Sequence, residues 1–455
     1  MRQANRTLGS RLRTFARKGI ALVLAGLVLA LPVAGNAQET TASIRGKVLD
    51  PNGNPVVSAS VVVEDLRSGT TRAYTSNADG LFYAARLLPG GPYRVTVNDT
   101  KTVDVPLISL GDTYSLIINL QQQEQIEEIV AIGQSGELVE VAAGPSATFS
   151  LDDLEGAVAF SRDISDVYGI DPRLMVDFDE DGFGVNCVGK HPRFNQITLD
   201  GVSQSDRFGL NENGYATAVG QPFPYDALEQ VAVELAPFDV TYGGFSACNI
   251  NAVTKSGTNE FEFKAFYEYS SDDFRGDTIA DDDSDYGSPV SYDKTYRGFS
   301  VGGPILKDRL FFYAAYEDSE TPRFLARGPA GSGNGDVRDW LSQADYDRIN
   351  NIAQSVYNYN PGGQPGDGLQ EDEKYLIRLD WDIADSHTAS LIYNYYDGYQ
   401  LRDSDGDDDE FEFANHFYTK GAEFEVFTAK LTSQWTDTFS TEIFYNTAEM
   451  DDSQV

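Results

Sequence analysis

Basic residues, histidine, cysteine and long apolar runs are all scarce in this 455-residue chain, and each shortage rules something out. Lys and Arg together number 34 against 71 Asp and Glu, a formal charge of -37, which excludes an ordinary nucleic-acid binder. His occurs three times, at His191, His387 and His416, with no spacing suited to a zinc site. Past residue 31 no apolar stretch approaches the roughly 20 residues that a helix needs to cross a bilayer. A chain like this can enter a membrane only as a β-barrel.

What is plentiful points to β-structure. Aromatic residues make up 12% and there are 42 glycines, which suits strands separated by many turns, with the surplus acid carried on loops in water. The length suggests about three domains.

Residues 1–37 have the form of a secretory signal. Arg2, Arg6, Arg11, Arg13, Arg17 and Lys18 precede an apolar run over 20–31, no acid occurs, and Gly35 and Ala37 stand before Gln38. A membrane-spanning helix is the rival reading, but the run is only about a dozen residues long.

Residues 38–121 read as a self-contained β domain. Ile44, Gly46 and Val48, then a turn through Asp50, Gly53 and Pro55, then Val57, Ala59, Val61 and Val63 suggest two alternating strands joined as a pair. A second pair is expected around Asn77, Asp79 and Gly80, and a third after Pro89 and Pro92 with Tyr93, Val95 and Val97. The residues Gly46, Asp50, Gly53, Pro55, Ala59, Asp79, Gly80, Phe82, Leu87, Pro89, Gly90 and Tyr93 resemble the carboxypeptidase regulatory-like domain, an accessory fold grouped with carbohydrate-binding modules. With no His before residue 191, the name carries no enzymatic implication. A structural or docking role is expected, with sugar binding as the alternative.

Three short apolar runs follow within residues 194–253. They contain ITLDGV (197–202), LEQVAVE (228–234) and YGGFSACNINAVTKSGTN (242–259), and each run reads as a strand bounded by Gly, Pro or Asp. Beyond Asn259 an aromatic alternation begins with Phe261, Phe263, Phe266, Tyr267 and Tyr269. These motifs resemble the plug domain of TonB-dependent outer-membrane receptors, particularly the Oar-like branch. The resemblance implies a small α/β plug over 136–257, lodged in a large barrel of the Gram-negative outer membrane and controlling the passage of an external ligand, with the N-terminal domain in the periplasm.

The linker region 122–135 contains Ile126, Glu127, Glu128, Ile129, Val130, Ala131 and Ile132, a short extended apolar stretch that resembles the family's TonB box. There the periplasmic domain of TonB adds this segment to its own sheet, backbone bonds giving affinity and alternate side chains register. The other reading is a first strand of the plug.

Within the plug, Ser161 and Gly169 bracket a short capped helix. Asp177, Asp179 and Asp181 precede Gly182 at the alternate spacing of a calcium loop, although Val188 stands where the twelfth-position acid belongs. Ca2+ binding and a solvated acidic turn are both open. Cys187 and Cys248 are the two cysteines, and in an exported chain an even pair reads as a disulfide, the alternatives being a metal pair with His191 or two buried thiols.

Seven barrel strands are expected over 258–455, at 260–270, 294–303, 309–318, 373–383, 388–398, 422–434 and 439–448, in contact with outer-membrane lipid. Acidic loops at 272–285 and 403–410 and a Gly-rich one over 327–370 alternate with short connections. Seven strands do not close a bacterial barrel, so further strands after Val455 are expected. Gly298, Ser300 and Gly302 match a nucleophile-elbow pattern, but a hairpin and not a helix follows, so no enzyme is expected. The fold class is therefore mainly β: an N-terminal β-sandwich, a small α/β plug and the first strands of an antiparallel transmembrane β-barrel. The function implied is import of a siderophore, oligosaccharide, peptide or protein with energy transmitted from the inner membrane. The competing reading is a secreted adhesin or carbohydrate-binding β protein without transport.

Overall fold

The computed structural model describes residues 40–120 and 146–455, apart from 112, 150, 157–160, 169–170, 180–181, 207, 209–210, 212, 218, 236–242, 275–291, 334, 385, 405–408 and 437–438. The signal segment and the TonB-box-like segment lie outside the described residues.

The N-terminal sandwich contains β1 (Ala42–Leu49), β2 (Ser60–Asp65), β3 (Thr71–Thr75), β4 (Leu81–Leu87), β5 (Tyr93–Val97), β6 (Lys101–Val105) and β7 (Thr113–Asn119). One sheet runs β4-β1-β7, with β1 and β7 parallel, and the other β3-β2-β5-β6. Ile44, Val48, Val61, Val63, Phe82 and Val95 fill the space between them. The expected pairing of the first two strands is corrected: β1 and β2 lie in different sheets, and so do β3 and β4. The turns at Gly53 and Gly80, both at positive φ, carry the chain from one layer to the other.

The plug places β8 (Ser146–Phe149), α1 (Leu151–Gly156), α2 (Ser165–Tyr168), β9 (Leu174–Asp179), β10 (Gly182–Cys187), β11 (Gln196–Leu199), β12 (Val202–Ser203), β13 (Leu228–Leu235) and β14 (Cys248–Thr254) before the wall. The three runs seen in the sequence assemble into one sheet of order β12-β11-β14-β13-β8, while β9 and β10 make a separate hairpin. Asp200 and Gly201 turn β11 into β12, both at positive φ. Cys187 and Cys248 are disulfide-bonded with Cα atoms 6.0 Å apart. Closing a loop of this length stabilises a fold by roughly 4 kcal/mol in the chain-entropy account.

Seven long strands then form a single antiparallel sheet: β15 (Glu262–Ser271), β16 (Asp293–Leu306), β17 (Leu310–Arg323), β20 (Gly368–Ala384), β21 (His387–Arg402), β22 (Tyr418–Thr436) and β23 (Phe439–Gln454). They match the seven expected segments but most run several residues further, because the alternation of faces continues into polar sequence. The sheet is open, with β15 and β23 at its edges. The short connections, from β16 to β17, β20 to β21 and β22 to β23, all lie at one end, which by the rule for such barrels is the periplasmic one. At the other end the 324–367 connection is not the irregular Gly-rich loop expected. It contains β18 (Arg327–Ala330), β19 (Asp336–Ser342) and α3 (Gln343–Tyr357). Ser342 caps α3 by accepting from the Asp345 N–H at 3.1 Å, and Asn358 ends it in the left-handed region.

The two faces of the wall differ. Along β17, Phe311, Tyr313, Ala315, Glu317 and Ser319 are buried toward the plug while their neighbours face outward. Outward, Phe299, Tyr316, Tyr375 and Tyr395 lie side by side on four paired strands, an interfacial aromatic row. One step nearer the long-loop end, Arg297, Asp318, Glu373, Asp397, Glu423 and Asp451 form a second paired row.

Candidate functional site

The site is the seat of the plug against the inner face of the wall. Arg162 is its centre. It follows Ser161, whose N–H and hydroxyl both donate to Asp166 Oδ2, at 3.0 and 2.7 Å. The expected helix from Ser161 is thus a turn leading into α2, and Arg162 sits in it at φ 53°. From there the guanidinium crosses to the wall. Nε and Nη2 each donate to Glu317 Oε2 at 3.1 Å, and Nη1 donates to Glu268 Oε1 at 3.1 Å. Nη2 is paired with Asp226 Oδ2 of the plug at 3.0 Å, and the guanidinium carbon stands 3.6 Å from the centre of the Phe266 ring. Lys374 on β20 extends the network, 3.3 Å from Glu317 and 3.6 Å from Asp372. Each of these charges is held by opposite charges, the condition for burying them.

Asp163 lies next to Arg162 and is almost wholly buried. Its Oδ1 accepts from the Ser165 N–H at 2.8 Å and from the Tyr215 hydroxyl at 3.3 Å, whereas Oδ2 has no hydrogen-bond partner among the described residues. Burial pushes this carboxyl up to about 6, against the pull of Ser165 and Lys374.

A second anchor uses residues from the sequence motifs. Arg378 on β20 donates from Nη1 to the carbonyl of Thr254 at 2.9 Å, and its Nη1 lies 3.5 Å from Asp200 Oδ1. Asp200 itself accepts from the Thr254 N–H at 3.1 Å and hydroxyl at 2.7 Å. Single bonds and apolar packing add to the seat: Tyr313 donates to the carbonyl of Asp226, Asn394 to that of Pro222, and Lys420 to Asn211 Oδ1, at 2.7, 2.8 and 2.9 Å, and Val202, Ala216 and Val219 of the plug pack on Tyr396, Phe424 and Val426 of the wall. The arrangement holds the plug against the wall. Ser300 of the nucleophile-elbow pattern lies within β16, where a strand and not a helix continues.

The residues singled out in the sequence fare differently. Cys187 and Cys248 are joined. Asp177 and Asp179 stand on β9, opposite Gly184 and Gly182 of β10, and Asp181 lies outside the described residues. Their alternate spacing is that of one face of a strand. Among the described residues no group of three or more His, Cys, Asp and Glu is placed to hold a metal ion. Ile126, Glu127, Glu128, Ile129, Val130, Ala131 and Ile132 lie outside the described residues. Arg162, Glu317 and Lys374 were not singled out in the sequence. A lone Arg between Ser and Asp in an acidic chain is the one signal that marks the first, and nothing local marks its partner 155 positions on.

The fold is a wall of seven antiparallel strands with a plug against its inner face and an N-terminal sandwich, and the matches that follow place the chain in the Gram-negative outer membrane. Residues 43–121 match the carboxypeptidase regulatory-like domain family, and residues 253–449 match the outer membrane beta barrel domain family. Over 147 residues the chain is 28% identical to the TonB-dependent transporter Oar of Myxococcus xanthus, a stretch that covers 31% of this chain and 13% of that protein. Among solved structures it is similar to the siderophore receptor PirA from Acinetobacter baumannii, with a TM-score of 0.45, 15% identity and coverage of 68% of this chain and 40% of the other. The outer membrane transporter YddB from Escherichia coli gives a TM-score of 0.45 at 14% identity with the same coverage. The chain therefore spans well under half the length of these relatives.

Proposed function

We propose that this chain acts in a TonB-dependent receptor that binds an external ligand and imports it with energy transmitted from the inner membrane. The observation that carries the reading is the seat. Arg162 and Asp226 of the plug share a buried network with Glu317 and Lys374 of the wall, a joint that is firm when closed and whose two halves are each polar enough to be rehydrated when it opens. Oar is a transporter of this kind by its description, which supports the same reading. The ligand belongs to one of four classes: siderophore, oligosaccharide, peptide or protein.

Energy enters through Ile126, Glu127, Glu128, Ile129, Val130, Ala131 and Ile132, pairing as an added strand with the periplasmic domain of TonB. Titration of the full chain with that domain tests this. Ile129→Pro removes a backbone donor and fixes φ, and is expected to weaken binding by about tenfold or more. Glu127→Ala leaves the ladder intact and is expected to change it by less than about twofold. Equal affinities for the native chain and Ile129→Pro would remove the segment from the mechanism.

A further inference from the structure

The N-terminal sandwich meets both the plug and the wall at the short-turn end. Leu110 stands apart from the sandwich core and is buried with Ala232 of β13 and Val253 of β14, and its N–H donates to Gln230 Oε1. Arg67, just after β2, is held by Asp65 at 2.9 Å and reaches Glu229 of the plug at 2.8 Å. The Thr70 hydroxyl donates to Asp382 of the wall at 2.8 Å, and the Asn259 N–H donates to the carbonyl of Arg67 at 3.0 Å. Backbone approach is tightest at two glycines with positive φ. A Cβ on Gly69 would stand 2.7 Å from Asn259 and Asp308, and one on Gly90 would stand 2.4 Å from Glu229. Between the three bodies lies a cavity of about 110 Å³, with Arg72, Arg86, Asp200, Trp381 and Lys430 among its walls.

From these contacts we infer that the sandwich is a releasable brace, which holds the plug in its seat while docked and must come away before the plug can move. The joint suits release. Among the described residues it consists of one ion pair to the plug, a few hydrogen bonds and a three-residue apolar cluster, while the sandwich core closes without Leu110, so the domain stays folded when it leaves. Position in the chain adds a reason. The sandwich ends with β7 at Asn119 and the plug begins with β8 at Ser146, so a pull on the segment around Ile129 loads the brace on one side and the plug on the other. The gating consequence rests on the receptor reading above, whereas the joint itself does not.

Amide hydrogen exchange on the full chain in detergent tests the brace without any ligand or transport assay. Leu110→Glu buries an acid against Ala232 and Val253 and leaves the sandwich core untouched. It is expected to speed exchange of β13 and of residues 255–259 by about tenfold or more, with β1 unchanged. Glu229→Lys, made on the plug side against Arg67, is expected to do the same and covers the case in which Leu110→Glu misfolds the sandwich. A Thr70→Cys, Asp382→Cys pair joined by a short bifunctional thiosulfonate should restore slow exchange in the Leu110→Glu background. If both single variants leave β13 exchanging at the native rate, the sandwich is a passenger and the inference falls. If they speed exchange while TonB titration shows no binding, the brace stands and the receptor reading falls.

Discussion

The sandwich and the plug seat differ in the buried charge that only the seat carries between its two surfaces. Between the two sandwich sheets the buried side chains are apolar, as with Ile44, Val61, Phe82 and Val95. Between plug and wall, apolar contact, as of Val202, Ala216 and Val219 with Tyr396, Phe424 and Val426, is interrupted by buried charge: Arg162 with Glu317, Glu268 and Asp226, and Arg378 with Asp200. An apolar core stabilises by leaving water and has no good state half-opened. A buried ion network contributes little net stability, since desolvation offsets most of the attraction, but losing one partner is costly. The apolar core suits a domain that stays folded, and the charges add to the seat two surfaces that water can solvate when they are apart.

The contrast can be broken at its strongest point. Arg162→Ala leaves Glu317 and Asp226 without their shared cation, and is expected to weaken seating by about 3–5 kcal/mol. Urea titration followed by a probe on the plug should show the loss, while the sandwich transition stays in place. A shift of both transitions together would mean that the two regions unfold as one.

A smaller effect comes from Asp163. Its carboxyl is raised from an ordinary 3.8 to about 6 by burial, so it favours the seated state fully below about pH 4, and that contribution is lost as the pH rises through 6. The difference corresponds to about 3 kcal/mol. Lys374 and Asp166 are the charged groups that act on it. Asp163→Asn should seat more firmly than the native chain at pH 7 and lose this advantage by pH 4, as read by the same titration at both pH values.

The smallest change sharpens the other side of the comparison. Ile44→Val removes one methyl group from a fully buried position of the sandwich and is expected to cost about 1 kcal/mol. Calorimetry should find that loss in the sandwich transition alone, with the seat unaffected.

Much of this organisation is legible in the sequence because it is written in local pattern. The seven wall strands announce themselves through alternation, and ITLDGV, LEQVAVE and the run around Cys248 through short apolar blocks between breakers. Helix α3 was legible too, since Ser342 followed by Asp345 is a capping signal, but it was masked by the glycines on either side. Pairing is what local pattern does not hold. The turn through Asp50 and Pro55 looks the same whether it joins neighbours in one sheet or crosses to the opposite layer, and the choice depends on β7 returning to lie beside β1. The seat was illegible for a related reason. Asp200 and Thr254 lie inside the motifs, yet their common partner Arg378 comes from a strand more than a hundred residues on, and an outward and an inward Arg look alike in an alternating strand.

The Cys187–Cys248 bond has a mechanical consequence. Tension entering the plug ahead of β8 travels along the chain to Cys187, crosses the sulfur bridge to Cys248 and continues through β14 into β15 and the wall. The loop between the two cysteines carries β11, β12 and β13, and it bears no load. Pulling can therefore peel β8 from β13 and draw out the segment up to β10, a length of about 140 Å at full extension, while β11, β12 and β13 remain slack. The bridge divides the plug into a part that can be unwound and a part that can only be moved whole.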